Sequence, residues 1–416
     1  MPLGTRSAPL KGVQERRVED GPPRPHIGVM RPNRPVYLDN QATTPCDPRV
    51  VAAMLPWFTE RFGNPHSAEH SMGQDAAAAV EAARAEVAAL IGAEPREVVL
   101  TSGATEANNI AIKGAARHAA MQGDPRRRIV TAATEHKCVL ESVADLAQEG
   151  FEPVVLPVRP DGLLDPDALR DALQVPALLV SVMAVNNETG VVQDIAALAA
   201  IARAAGALFH TDAAQAVGKV PMDVHVQGVD LLSLSGHKLY GPKGVGALYI
   251  RRRPRVRLLP LFSGGGQERG LRAGTLPTPL VVGLGEACRL ARQEMAEEGR
   301  RLSALRDRLL AGLRHGIPGI AVNGSWDRRI PGNLNLTLPA PALGLLRAVP
   351  DLCASTGSAC SSAEVEPSYV LRALGLSDDA AARTLRLGLG RFTSAADVDW
   401  AADALTAAVH HYAEAP

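Results

Sequence analysis

Aromatic side chains are scarce in this chain: Phe, Tyr and Trp together make up 3% of its 416 residues. Platforms that stack single-stranded nucleic acid need rows of such rings, so that class of partner is not expected. A charge surplus is missing too, since 44 Lys and Arg balance 44 Asp and Glu for a formal net charge of +0. No basic excess argues for nucleic acid, and no acidic excess turns anionic ligands away. Cysteine is sparse, with Cys46, Cys138, Cys288, Cys353 and Cys360 widely scattered and no C-x-x-C pair. Such an odd set suits neither a disulfide framework nor a zinc ribbon and points to a reducing compartment, the cytoplasm. Long apolar runs are absent as well: none reaches the roughly 18 residues of a membrane span.

What is present is a hydrophobic fraction of 46% on a chain long enough for a large core, most simply in two domains. Residues 1–34 are proline-rich with mixed charge and read as a disordered tail. Within them Arg6, Lys11, Arg16 and Arg17 leave a transit peptide open, Glu15, Glu19 and Asp20 count against it, and Met30 is an alternative start. From Tyr37 onward helical and strand-like patterns alternate. The spacing predicts helices over 74–91, 105–121, 139–148 and 194–205. Strands are predicted over 97–101, 128–132, 177–183, 207–210, 231–234 and 245–250. Alternation of this kind builds a mainly parallel sheet with helices on both faces, an α/β fold. After about residue 290 the pattern changes to a charged helix over 294–313, short strands near 333–338 and a last helix after 395. The expected division is a large domain over 48–290 and a smaller α+β domain from 35–47 and 291–416, with 37–44 adding a strand to the latter.

Ligands of open parallel sheets bind at the carboxyl ends of the strands. Here five successive strands run into Ser102-Gly103-Ala104-Thr105-Glu106, Thr134-Glu135-His136-Lys137, Asn186-Asn187-Glu188, Asp212-Ala213-Ala214-Gln215 and Ser235-Gly236-His237-Lys238. Taken singly, each has an ordinary explanation: a helix cap, a turn, a basic surface loop. Together they describe a site. Lys238, between a histidine and an aromatic residue, can be desolvated toward the neutral amine that a Schiff base with an aldehyde cofactor requires. Gly103 lets backbone N–H groups at a helix start approach a phosphate. Asp212 can keep a pyridine nitrogen protonated, and His136 can stack on a ring and move protons. Cys360 lies among small residues over 354–363, a composition expected of a mobile loop, and is a nucleophile candidate. The other four cysteines read as inert.

Over 35–412 the chain resembles the cysteine desulfurases of the iron–sulfur cluster type, pyridoxal 5′-phosphate enzymes of the class V aminotransferase group. The motifs that carry the resemblance include Tyr37-Leu38-Asp39-Asn40-Gln41-Ala42-Thr43-Thr44-Pro45, Phe62-Gly63-Asn64-Pro65 and Thr101-Ser102-Gly103-Ala104-Thr105-Glu106. Val185-Asn186-Asn187-Glu188-Thr189-Gly190, Arg272-Ala273-Gly274-Thr275, Gly357-Ser358-Ala359-Cys360 and the run from Glu366 to Gly375 extend it.

The resemblance implies the fold type I architecture, with a mainly parallel seven-stranded sheet. It implies that Lys238 binds the cofactor covalently, that Asp212 pairs with the pyridinium and that His136 stacks over the ring. Gln215 and Asn187 would bond the phenolic oxygen side. Ala104, Thr105, Ser235 and His237 would hold the phosphate, with Thr275 reaching over from the second subunit of a homodimer. Arg386 would clamp the carboxylate of L-cysteine, with Asn187 beside it. Cys360 would accept the sulfur as a persulfide, pass it to an iron–sulfur scaffold or another acceptor protein, and be the candidate ligand of a transient iron–sulfur cluster. Two departures are visible. The segment from Leu338 to Leu343 lacks a Gly-Glu pair often found in the family, and the chain stops soon after Tyr412 without a scaffold-docking extension, which leaves the acceptor open. Rival readings are a selenocysteine lyase or an aminotransferase on the same fold, and a non-catalytic sulfur-carrier subunit.

Overall fold

A computed structural model describes Val29, residues 32–356 and residues 367–414. Cys360 and most of the expected tail lie outside these described residues.

A short strand β1 (Val36–Tyr37) precedes seven strands that form the central sheet: β2 (Val98–Thr101), β3 (Arg128–Ala132), β4 (Glu152–Leu156), β5 (Ala177–Ser181), β6 (Leu208–Asp212), β7 (Leu231–Ser235) and β8 (Gly246–Ile250). Their order across the sheet is β2-β8-β7-β6-β5-β3-β4. β4, β3, β5, β6 and β7 run parallel, while β8 is antiparallel to both its neighbours. The expected mainly parallel seven-stranded α/β sheet is therefore what the chain builds. All five residues of β5 are buried, as an apolar run covered on both faces should be. β4 was not foreseen. It carries Pro153 and buries only Leu156, as suits a strand at the sheet edge, so it lacks the buried apolar signature of its neighbours.

The strands that matter for function extend further than their apolar cores suggest. β6 runs on to Asp212 and β7 to Ser235, so both polar residues are placed by ladder hydrogen bonds rather than by loops. β2 starts one residue later than expected because Pro95–Glu97 forms a 3₁₀ turn, whose Glu97 carboxylate accepts the Glu94 N–H at 3.0 Å.

The charged stretch expected to begin a helix at 294 is instead the middle of one 39-residue helix, Thr278–Gly316, which crosses the expected division at residue 290. Its first half buries Val281, Leu284, Ala287 and Leu290 in the sheet core. Its second half buries Leu302, Leu309 and Leu313 in a second core with the helix Ala395–Glu414. That second core also covers β9 (Ala321–Val322), β10 (Asn333–Thr337) and β12 (Thr384–Gly388), an antiparallel sheet in the order β12-β10-β9, while β11 (Leu352–Cys353) pairs with β1.

Residues 37–44 do not make one long strand. Only Val36–Tyr37 forms a strand, Asp39 makes an isolated bridge to Gly388, and the chain turns back there, Ala42 N–H donating to the Asp39 carbonyl at 2.9 Å. Gly388 fixes this turn: its N–H donates to Leu38 O at 2.6 Å and its carbonyl accepts from Asn40 N–H at 3.1 Å. A Cβ there would fall 2.9 Å from the Asn40 backbone nitrogen as well as on Gln41 Oε1, so the close approach favours glycine. Among the described residues, no helix is long and apolar enough to cross a membrane.

Candidate active site

The strand ends open onto a cleft of about 610 Å³. Its walls bring together Ala104, Thr105, His136, Asn187, Asp212, Gln215, Ser235, His237, Lys238 and Arg386, all expected from the sequence. Thr275 is exposed and does not line this cleft.

After β2 the chain passes through Gly103, whose φ of 153° and ψ of −178° suit only glycine, and enters the helix Ala104–Met121. The first-turn N–H groups of Ala104 and Thr105 have no intrahelical acceptor, and the helix dipole adds positive potential there. Glu106 braces the turn by accepting from Ser102 N–H and from Arg272 Nε at 2.8 Å. Burial pushes its carboxyl upward, yet Arg272 and Ser102 hold it below the usual range overall.

Asp212, at the end of β6, is buried, and Ala214 N–H donates to its Oδ1 at 2.9 Å. Asn108 Nδ2 donates to its Oδ2 at 2.7 Å. His136 caps the helix Lys137–Asp145, its Nδ1 accepting from Cys138 N–H at 3.2 Å.

β7 leads directly into the turn Gly236–Lys238. Lys238 Nζ donates to Gln41 O at 2.6 Å and Ala42 O at 2.7 Å, which ties the turn after β1 to the sheet edge. His237 Nδ1 lies 3.0 Å from Thr43 Oγ1. Burial, then Lys238, Lys243 and Lys219, lower its pKa to about 4, so it is neutral at pH 7. Gln215 Nε2 donates to Gln41 O at 2.8 Å and its Oε1 accepts from Lys219 Nζ at 2.7 Å. Burial and the nearby Lys238 pull Lys219 down to about 7.

Arg386 reaches the cleft from β12, its buried guanidinium donating to Asp39 Oδ1 at 2.9 Å and to Asn187 O at 3.0 Å. A substrate carboxylate bound there would share Arg386 with Asp39. The Asn187 Oδ1 is buried and has no hydrogen-bond partner among the described residues.

Several groups at the site were not foreseen. Cys138 was read as inert but lines the cleft. Its place two residues after His136 on one helix start was the available signal. Asn108 and Tyr369 come from helix positions with no mark of their own, and Lys219 follows Gln215 by one helical turn. Glu135, directly before His136, is buried with Met183 N–H on its Oε1 at 2.6 Å, and burial raises its pKa well above normal. Among the described residues no group of three His, Cys, Asp or Glu could hold a metal ion. The iron–sulfur expectation for Cys360 lies outside them.

A profile of the Aminotransferase class-V family matches residues 36–400. The chain belongs to the class-V aminotransferase family. Within it, the chain stands among the cysteine desulfurases. It is 52% identical to a cysteine desulfurase of Mus musculus over 411 residues, 98% of this chain and 88% of the relative. It is 50% identical to the cysteine desulfurase IscS of Rickettsia felis over 373 residues, 89% of this chain and 90% of the relative. A solved NifS-like protein superposes with a TM-score of 0.82 at 34% identity, covering 91% of this chain and 99% of its own. Both the family and the seven-stranded architecture thus agree with the class-V reading of the sequence.

Proposed function

We propose that the protein is a pyridoxal 5′-phosphate-dependent cysteine desulfurase, a sulfurtransferase that takes L-cysteine to L-alanine and leaves the sulfur as a persulfide on Cys360. The observation that carries this is one cleft holding a lysine at a strand end, a buried carboxylate and an open helix N-terminus. These residues fit the cofactor. The helix start at Ala104 and Thr105 suits a phosphate, Asp212 suits a pyridinium, and the partnerless Asn187 Oδ1 leaves that amide with capacity for a ligand. When bound, pyridoxal phosphate supplies an electron sink that acidifies the substrate Cα–H.

In this reading Lys238 would hold the cofactor covalently, and its free amine would take the substrate's Cα proton. Asp212 would keep a proton on the ring nitrogen, and His136 would cover the ring. Gln215 and Asn187 would serve the phenolic oxygen. Ala104, Thr105, Ser235 and His237 would hold the phosphate, joined by Thr275 of a second subunit. Arg386 orients the substrate carboxylate. The Cys360 thiolate then attacks the substrate sulfur: an S–S bond forms, the Cβ–S bond breaks, and its electron pair stays on Cβ, which takes a proton to become the methyl group, while Lys238 returns a proton to Cα to give alanine. Loss of the persulfide to an iron–sulfur scaffold or another acceptor thiol completes the turnover.

The cytoplasm is the compartment proposed here. One relative, from Arthroderma benhamiae, is named a mitochondrial cysteine desulfurase, and fractionation of the tagged chain separates the two. The activity is tested by incubating the purified protein with L-cysteine and a thiol reductant. Alanine and sulfide in equal amounts are expected. Amino transfer to a 2-oxo acid without sulfide would overturn the reading.

A further inference from the structure

Two side chains that the mechanism above does not use connect Asp212 to His136. Asn108 is fully buried in the helix Ala104–Met121 and donates from Nδ2 to Asp212 Oδ2 at 2.7 Å and to Cys138 Sγ at 3.2 Å. The amide nitrogen thus faces Asp212, and the Asn108 Oδ1 is buried with no hydrogen-bond partner among the described residues. Both N–H bonds of that amide are then committed, one to the carboxylate and one to the sulfur. Cys138 Sγ lies 3.0 Å from Nδ1 of His136. With Asn108 donating to its sulfur, the thiol can turn its S–H toward that nitrogen and share the single Nδ1 lone pair with a second donor. The backbone N–H of Cys138 donates to the same Nδ1 at 3.2 Å. A ring nitrogen that receives a backbone N–H carries no proton, so the neutral imidazole bears its proton on Nε2.

We propose that Asn108 and Cys138 form a directed hydrogen-bond relay from Asp212 to His136, and that Cys138 is a positioning residue which holds His136 as the Nε2–H tautomer. The relay ties together the group assigned to the ring nitrogen and the group assigned to the ring face. It also divides labour in the cleft: a histidine with its proton on Nε2 has a proton to give from that atom, while proton removal is left to Lys238. The roles of Asp212 and His136 rest on the cysteine desulfurase reading; the bonding between them does not.

The test uses the full-length protein carrying ¹⁵N-histidine, with His136 assigned by its absence from the His136→Gln spectrum. Two-bond ¹H–¹⁵N correlation at neutral pH should show His136 as the Nε2–H tautomer. Cys138→Ala should move its Nδ1 resonance, Cys138→Ser should return it toward the wild-type position, and Asn108→Ala should move it although Asn108 does not bond the ring. An Nδ1–H tautomer, or an Asn108→Ala spectrum identical to wild type, would overturn the relay. In the holoenzyme, Cys138→Ala and Asn108→Ala should each lower kcat for alanine roughly tenfold with little change in KM, the effect of one buried hydrogen bond. The double variant should be no worse than either single one. A double variant that multiplies the two losses, or Cys138→Ser as impaired as Cys138→Ala, would contradict it. Failure of alanine formation in the wild-type protein would sink the proposed activity and leave the spectra decisive for the relay.

Discussion

Lys238 shares its cleft with two other amines, Lys137 and Lys243. The account depends on which of the three takes the cofactor. Of the three, only Lys238 lies in the turn directly after β7, the strand that pairs with β6, whose last residue is Asp212. Borohydride reduction of the cofactor-bound protein followed by peptide mapping should therefore place the label on Lys238. A label on Lys137 or Lys243 would refute the assignment. Lys238, Asp212 and His136 were legible because each lies at the end of a strand or within a few residues after it, and the apolar run of that strand announces it. Asn108 was not, because its bonds to Asp212 and Cys138 cross elements that no local pattern encodes, and Cys138 was passed over although it stands two residues after His136.

His210 gives a second test at this scale. It is fully buried on β6, with Ser181 Oγ 2.8 Å from Nδ1 and Ser233 Oγ 3.1 Å from Nε2, and burial lowers its pKa to about 3. Between about pH 6.5, the unfolded value, and pH 3 the unfolded chain binds a proton that the folded chain does not, so stability falls as the pH drops through this window. The slope from this one group is at most about 1.4 kcal/mol per pH unit. His210→Gln should melt lower than wild type at pH 7 but lose less stability on acidification to pH 4. Parallel melting curves for the two proteins would contradict it.

At the scale of elements, the segment leading to Thr275 is tied to the sheet by a buried ion pair. Arg84, in the helix Ser71–Leu90, donates to both carboxylate oxygens of Glu268 at 2.7 and 2.8 Å, and Leu100 N–H of β2 donates to the same carboxylate at 2.7 Å. Removing one partner strands a buried charge, so Arg84→Met should cost about 3–5 kcal/mol in urea unfolding. A loss below about 1 kcal/mol would mean that the carboxylate finds water or protonates instead. The helix Ser71–Leu90 was evident from its alanine-rich periodicity, whereas this cross-link was not, since partners 184 residues apart leave no spacing to read. The long helix Thr278–Gly316 was half seen for a related reason. Its early part packs into the sheet core and reads as buried apolar sequence, and only its solvated middle shows helical charge patterning.

At the scale of the molecule, the cleft assembles ten expected residues in one protomer while Thr275 stays exposed outside it. A homodimer in which Thr275 completes the partner's phosphate site is the arrangement proposed here. Sedimentation should show a dimer as the active species, and a fully active monomer would refute this. The central claim concerns where the sulfur goes. Cys353 is the described cysteine nearest in sequence to Cys360, and burial, Asp39 and Asp351 raise its pKa and disfavour its thiolate. Cys288 is buried and raised further, and Cys46 is raised by burial and Asp47. The most direct measurement is alanine formation from L-cysteine by Cys360→Ser beside Cys353→Ser, each with cofactor bound. The account predicts that Cys360→Ser loses alanine and persulfide formation by orders of magnitude while still binding the cofactor, and that Cys353→Ser stays near wild type. An active Cys360→Ser beside a dead Cys353→Ser would contradict it.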